Sequence, residues 1–382
     1  MTGNQLVTRT VFVAGDLDKP RVIHKLGELG MGRIHGMFGL GVKRAFSDSI
    51  AIDLGTANTL VYVSGRGVIL NEPSVVAIRS KGGVREVLAV GEKAKQMLGR
   101  TPESIETIRP LRDGVIADFV ATEEMLRHFI GRTKSLVEFI RPRILICVPA
   151  AATPVERRAV YETAMMAGAR KVYLIEEPVA AAIGAGLPID EPKGSMVVDI
   201  GGGTTDVAVL SLGGVVQASS IRCGGNAMDE AIIRYVRRNH QLLIGEANAE
   251  RIKIEAGSAS RVVNGETAEI VIRGREIREG KPKTVTLVPQ DIAEALEPPI
   301  EKIAEFIQHT IEDLPAEIST DICERGIHLT GGGAKLAKLD QELERRTGVK
   351  IHLPEQPEQC VITGSATILE KFKEREHLLI KP

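Results

Sequence analysis

Two short stretches of this 382-residue chain carry an acid, glycine and threonine in the same order. One reads Asp-Leu-Gly-Thr-Ala-Asn-Thr from Asp53 to Thr59, the other Asp-Ile-Gly-Gly-Gly-Thr-Thr from Asp199 to Thr205. Apolar runs flank both: residues 50–52 and 60–63 around the first, 196–198 and 207–210 around the second. A strand on either side makes each stretch the turn of a hairpin, where backbone N–H groups and threonine hydroxyls can face an anion. The leading aspartate would repel that anion, because like charges a few ångströms apart in a partly dry cleft cost several kcal/mol. A bridging Mg²⁺ removes the conflict, and Asp53 and Asp199 can hold it through its waters, which magnesium sheds reluctantly. A single turn of this kind is an ordinary tight turn. Two in one register, at domain-scale separation, indicate a phosphate cleft assembled from two halves.

A third glycine run, Thr330-Gly331-Gly332-Gly333-Ala334, follows the apolar residues 327–329 and is expected to open a helix through Leu336 and Leu339. A strand–glycine–helix junction suits a nucleotide's base, sugar or phosphate. Neither GxxxxGK[ST] nor a complete GxGxxG occurs, so the common alternative nucleotide folds lose their main support. Glu177 precedes Pro178 at the mouth of an expected helix, where a carboxylate is held by the helix's positive end and can orient water toward a terminal phosphate. Taken alone, the same carboxylate serves as a plain charge on a helix N-terminus. Glu176 reads as its solvated neighbour.

The elements that must position these residues are legible around them. From Ile50 onward strand-like runs alternate with helical periods and glycine turns, an α/β pattern. Strands are expected at 50–52, 60–63, 144–148, 196–198, 207–210 and 327–329. Thr153, Pro154 and Glu156 make a capping-box start for a helix through Ala167. Further helices are expected from about Pro178, over 228–236, and along Ile292, Leu296, Ile303 and Ile307, the last kinked or split by Pro298-Pro299. Residues 261–288 look like a small inserted sheet. The expected organisation is an extension over 1–46, a first lobe over 47–190, a second over 191–370 with a small subdomain at about 225–290, and a charged tail over 371–382.

Composition narrows the partners. Lys plus Arg number 49 against 50 Asp plus Glu, and aromatics are 3% with no tryptophan, which disfavours nucleic acid on charge and on stacking alike. Net charge near zero permits self-association. Cys147, Cys223, Cys323 and Cys360 have no CxxC or histidine spacing and read as reduced, packed thiols of a cytosolic protein. No apolar run is long enough for a spanning helix, and no signal-peptide pattern opens the chain. Phe38, Val42, Ala45 and Phe46 stand at helical spacing beside Lys43 and Arg44, as in a segment that lies in a lipid interface. A leader outside the fold is the other reading of 37–46. Phe139-Ile140, between Lys134 and Arg141, is a second apolar spot, of a kind more often found in a core.

With the three loops in order, the chain resembles the actin, sugar-kinase and heat-shock-chaperone ATPase superfamily. Within it, the strings at 53–59, 71–77, 109–118, 175–178 and 199–205 are similar to the MreB family of bacterial actins, over about residues 47–370. The resemblance implies an actin-like fold of two lobes, each with a ribonuclease-H-like core, clasping ATP and Mg²⁺. It implies an ATPase forming homopolymer filaments on the inner face of the cytoplasmic membrane, where they direct lateral cell-wall synthesis with transmembrane elongation proteins. Carried over by position, Thr56, Ala57, Asn58, Gly201, Gly202, Gly203 and Thr204 contact phosphate. Glu250, Arg251, Ile252 and Lys253, with Gly331, Gly332, Gly333 and Ala334, enclose the adenosine. Glu177 and Thr204 attend the attacking water, and Phe139-Ile140 becomes a membrane-touching loop. Asn226 stands where the family usually has aspartate and is expected to cap a helix; Ala256 replaces isoleucine. Rival readings inside the superfamily are a segregation or division filament, a chaperone-type ATPase without its peptide-binding region, and a small-molecule kinase without a visible acceptor base.

Overall fold

The computed structural model describes residues 49–81, 84–133, 141–260 and 269–382. Its centre is two five-stranded sheets of one topology. In the first, β1 (Ser49–Leu54), β2 (Asn58–Val63) and β3 (Gly67–Pro73) form an antiparallel meander; β4 (Arg143–Val148) joins β1 in parallel, and β5 (Lys171–Glu176) joins β4. In the second, β6 (Ser195–Ile200), β7 (Thr205–Ser211) and β8 (Gly214–Ile221) repeat the meander, and β9 (Ile327–Thr330) and β10 (Ile351–His352) repeat the parallel pair. The duplication seen in two seven-residue turns thus extends to two whole sheets. β6, every residue of it buried, lies in the middle of its sheet.

Nine helices matter for the site: α1 (Phe119–Thr133), α2 (Pro154–Met166), α3 (Glu177–Gly184), α4 (Gly225–His240), α5 (Glu246–Ala256), α6 (Pro289–Glu312), α7 (Ala316–Arg325), α8 (Leu339–Thr347) and α9 (Cys360–Glu370). The capping box of α2 forms as its sequence requires, Glu156 N–H to Thr153 Oγ1 at 3.3 Å and Thr153 N–H to Glu156 Oε2 at 2.7 Å. Helix α6 is not split at Pro298-Pro299. One face of it, with Ile292, Leu296, Pro299, Ile300, Ile303 and Ile307, is sunk in the second lobe's core, and that burial offsets the missing N–H bonds. Asn226 does not cap α4. Gly224 holds the cap position, and Asn226 lies inside the first turn with its N–H bonded to Gly202 O at 2.8 Å. Ala256 ends α5, packed against the same core.

Each lobe has its own core, and a third forms between the sheets, where Leu145 and Cys147 of the first meet Val197, Ala208 and Leu210 of the second through α3 and α9. Strands Ile270–Glu276 and Pro282–Leu287, with Leu242–Leu243, form the expected small sheet of the second lobe; residues 261–268 of that region lie outside the described residues. The first lobe carries its own small sheet, Val76–Lys81, Val84–Val90 and Ile105–Ile108. Three cysteines are packed as expected, but Cys323 is exposed on α7.

The segment after Lys371 is docked, contrary to the expectation of a charged tail. Phe372 sits against Tyr173, ring centroids 4.7 Å apart, Arg375 grips Asp190 with two hydrogen bonds of 2.6 Å, and Ile380 N–H bonds Leu174 O at 3.0 Å along the edge of β5. Its apolar residues Phe372, Leu378 and Ile380 find an open strand edge, which natural sheets cover. The membrane candidates Phe38, Phe46, Phe139 and Ile140 lie outside the described residues.

Candidate functional site

The two hairpin turns meet face to face. A Cβ on Gly202 would stand 2.6 Å from the Ala57 side chain, and one on Gly203 2.8 Å from Thr56 Oγ1 and 2.9 Å from Asp113 Cα. Only glycine allows that approach, which explains why the second turn is richer in glycine than the first. Thr56 Oγ1 accepts the Gly114 N–H at 3.1 Å, and Asn58 Nδ2 donates to Asn71 Oδ1 at 3.2 Å. In the second turn Gly201 N–H closes on Thr204 O at 2.9 Å, and the first N–H groups of α4 go to Gly201 and Gly202 carbonyls.

A cavity of about 130 Å³ lies between the turns, lined among others by Asp53, Thr56, Asn58, Glu177, Asp199 and Thr204. It opens into a larger one of about 500 Å³, lined by Lys95, Arg109, Asp229, Glu250, Lys253 and the Gly332–Gly333 turn. The two share Ala57, Asn58, Asn71, Gly201, Gly202, Gly332 and Glu358, so they are one cleft with a narrow inner and a wide outer end. Among the described residues, no lysine, arginine or histidine lines the inner end.

Carboxylates crowd that inner end. Burial, and then the charge of Asp199, raises the Asp53 carboxyl to about 7. Burial raises Asp199 to about 7 as well, against a short hydrogen bond from Thr330 Oγ1 at 2.6 Å. Glu177, the first residue of α3 and 9% exposed, is held well above the usual carboxylate range by burial and by Asp206, Asp53 and Asp199. Such a cluster accepts a triphosphate only with a cation between them. Among the described residues no three His, Cys, Asp or Glu side chains form a metal cage. Two aspartates beside phosphate-sized space fit a hydrated magnesium ion, which takes one or two carboxylates and keeps its waters.

The third glycine run departs from the expected helix. Gly332–Lys335 is a 3₁₀ turn, and α8 begins only at Leu339. Gly331, with φ 85°, and Gly333 pass so close to Ile200 that a Cβ on either would lie 2.3 Å from its atoms. Gly331, Gly332 and Gly333 line the cleft, whereas Ala334 is packed in the core. The helical period sorts α5 in the same way. Glu250 and Lys253 face the cleft with Ile254; Ile252 is wholly buried in the core, and Arg251 bonds Glu255 at 2.7 Å on the outer surface. Arg251, Ile252 and Ala334 are therefore not lining residues. Glu176 is no solvated neighbour either: at the end of β5 its side chain is half-buried, paired with Arg157 at 3.5 Å, and raised by burial.

Sequence reasoning missed Lys95, Arg109, Asp229 and Asp206. Lys95 pairs with Glu250 at 2.8 Å and Arg109 with Glu246 at 3.2 Å, both across the cleft, and Lys253 pairs with Asp229 at 2.8 Å inside it. Charges on separate elements give no spacing signal. Asp206 carried one, an acid between the second turn and the apolar run that follows it.

Twin sheets with facing turns and a carboxylate-lined cleft define an actin-like fold. The chain belongs to the MreB/Mbl family, whose profile, described as MreB/Mbl protein, matches residues 47–377. It is 57% identical over 328 residues to the cell shape-determining protein MreB of Escherichia coli K12, covering 85% of this chain and 94% of that one. It is 48% identical over 327 residues to the cell shape-determining protein Mbl of Bacillus subtilis 168, covering 86% and 97%. The crystal structure of MreB 5 of Spiroplasma citri bound to AMPPNP superposes with a TM-score of 0.81 at 35% identity, covering 87% of this chain and 98% of that one.

Proposed function

We propose that this chain binds ATP with Mg²⁺ in the cleft, hydrolyses it, and assembles into filaments that lie on the inner face of the cytoplasmic membrane and organise lateral cell-wall synthesis. The observation that carries the nucleotide reading is the cleft itself: phosphate-sized space between two glycine-bearing turns, lined by acids and, among the described residues, no cation, opening into a chamber large enough for a nucleoside. The S. citri relative was crystallised with AMPPNP and with ADP, which supports the same occupant here.

In this reading, backbone N–H groups and the hydroxyls of Thr56 and Thr204 hold the phosphates, and the α5 face with Glu250 and Lys253 and the turn at Gly331, Gly332 and Gly333 hold the nucleoside. Magnesium, when bound, supplies charge neutralisation between the phosphates and Asp53 and Asp199. Glu177, at the positive end of α3, orients the attacking water in line with the terminal phosphate, with Thr204 beside it. Filament, membrane and elongation-protein contacts are proposed for this chain by its resemblance to the family. For the membrane, the candidate side chains are Phe38, Phe46, Phe139 and Ile140; among the described residues no helix is long and apolar enough to cross one.

Electron microscopy of purified full-length protein with ATP on anionic lipid vesicles tests the proposal. Filaments on the vesicle surface, with phosphate release, are expected. Phosphorylation of a small acceptor without filaments would turn the reading toward a kinase.

A further inference from the structure

Thr59 of the first turn pairs with Glu72 on β3, and Thr205 of the second turn pairs with Ile221 on β8. The first lobe therefore carries an acid where its twin has isoleucine. Glu72 is half-buried, and both its oxygens are bonded: Oε1 accepts Arg132 Nη1 of α1 at 2.6 Å, and Oε2 accepts the Glu92 N–H at 3.0 Å. Glu92 opens a one-turn helix, Glu92–Lys95, whose cap position is Gly91. Gly91 has no side chain with which to satisfy the helix's first N–H, and a Cβ there would stand 2.3 Å from Glu72 Oε2. The cap that the helix's own sequence lacks is thus supplied from β3.

The capped helix carries Lys95, which crosses the cleft to Glu250 of the other lobe at 2.8 Å. Ala94 is buried against Val75 and Ala77 and holds the helix beside the first lobe's small sheet. A single turn has little stability of its own, so the placement of Lys95 depends on such outside bonds. Asn71, the residue before Glu72, lines the cleft and accepts from Asn58 Nδ2. β3 thereby holds the first glycine turn with one residue and the helix of Lys95 with the next.

We propose that Glu72 is a positioning residue for nucleotide release: by capping the helix Glu92–Lys95 it sets Lys95 against Glu250, so that the outer end of the cleft closes over a bound nucleotide. The proposal rests on the reading that the cleft holds ATP.

The test uses full-length protein carrying Glu72→Ala, Lys95→Ala or both. Release of a fluorescent ATP analogue is timed by displacement with excess ATP at low salt, with melting in ADP as the check on folding. Glu72→Ala should speed release by up to about fivefold, the ceiling that a partly exposed ion pair sets, and by no more than Lys95→Ala does. The double variant should release no faster than Lys95→Ala alone, because a residue acting through another adds nothing once that other is gone. Raising the salt should erase both single effects. A merely structural loss would persist at high salt and multiply the effect of Lys95→Ala. Parental release by either single variant, or a double variant faster by the product of the two effects, overturns the inference. If Glu72→Ala fails to fold, Glu72→Gln, which loses the charge that holds Arg132, is judged by the same criteria. A parent that binds no analogue overturns the nucleotide reading and the inference with it; a parent that binds the analogue and releases it independently of Glu72 overturns the inference alone.

Discussion

Gly184 and Gly364 meet where α3 crosses α9. A Cβ on Gly184 would stand 1.8 Å from the Cys360 carbonyl oxygen, and one on Gly364 1.8 Å from the Ala180 carbonyl oxygen. Each helix follows the fifth strand of its own lobe. α9 packs Ile362 and Ala366 on Ala51, Leu60 and Tyr62 of the first sheet, while Val361 and Ile368 join α3 between the sheets. The crossing is the joint between the lobes.

Gly364→Ala should therefore be severe. The clashing atom is backbone and cannot swing aside, so the loss should reach or exceed about 3 kcal/mol, the upper range for an overpacked core. Thermal melting and soluble yield report it. A melting temperature within a degree of the parent would show that the helices separate freely.

Glu177→Gln keeps the size of the side chain and removes its ability to act as a base. ATP affinity should hold, and hydrolysis should drop by about 10² to 10⁴, the range for a positioned general base. Quenched-flow single-turnover assays separate the two quantities. Equal loss of affinity and rate would instead make Glu177 a ligand-binding group.

The raised acids predict a pH profile. Asp53 and Asp199 stand at about 7 in the folded chain and near 3.9 when unfolded. Between those values the folded state keeps protons that the unfolded state has lost, so the nucleotide-free protein should lose stability as pH rises from about 4 to about 7 and level off above. Magnesium with nucleotide favours the ionised acids, so its binding should release protons below about pH 7, and its affinity should rise with pH through that window. Urea melts at several pH values and calorimetry in two buffers of different ionisation heat check both signs. An Asp53→Asn, Asp199→Asn variant should flatten the profile.

Lys95 and Glu250 close the outer end of the cleft from opposite lobes, and Arg109 and Glu246 add a second pair. Both are partly exposed, so each is worth about 1 kcal/mol or less and is screened by salt. Lys95→Ala should speed nucleotide release by several-fold at low salt and lose that effect at high salt, measured by displacement of a fluorescent nucleotide. A salt-independent difference would count against the latch.

Removing residues 376–382 should uncover the edge of β5 and the Leu378 site. The truncated chain should melt lower and aggregate more readily, since an open strand edge templates pairing. Light scattering during a thermal ramp reads both effects. Behaviour like the parent would return this segment to the status of a free tail.

Much of the site was legible because chemistry and local geometry coincide in short strings. The doubled Asp-apolar-Gly turn required a hairpin on each side, and both hairpins formed with their flanking strands two or three residues longer than the apolar runs alone suggest. Residue-by-residue carry-over was weaker on α5 and after Thr330. There the resemblance gives a contiguous string of four to one ligand, although a helix turns consecutive residues to different faces: Ile252 lies in the core and Arg251 on the surface.

By itself the sequence determined the duplicated turns, the acids that accompany them, the α/β alternation and the capped start of α2, because each depends on residues within a few positions of one another. Tertiary structure alone decided that the turns face one another across glycines, that Lys95 reaches Glu250, that the chain after Lys371 covers β5, and that Asp206 accepts the Ala150 N–H of the other lobe. Those contacts join residues dozens to hundreds of positions apart, and their energies depend on burial and distance. Neither quantity exists until both sheets have packed on α3 and α9.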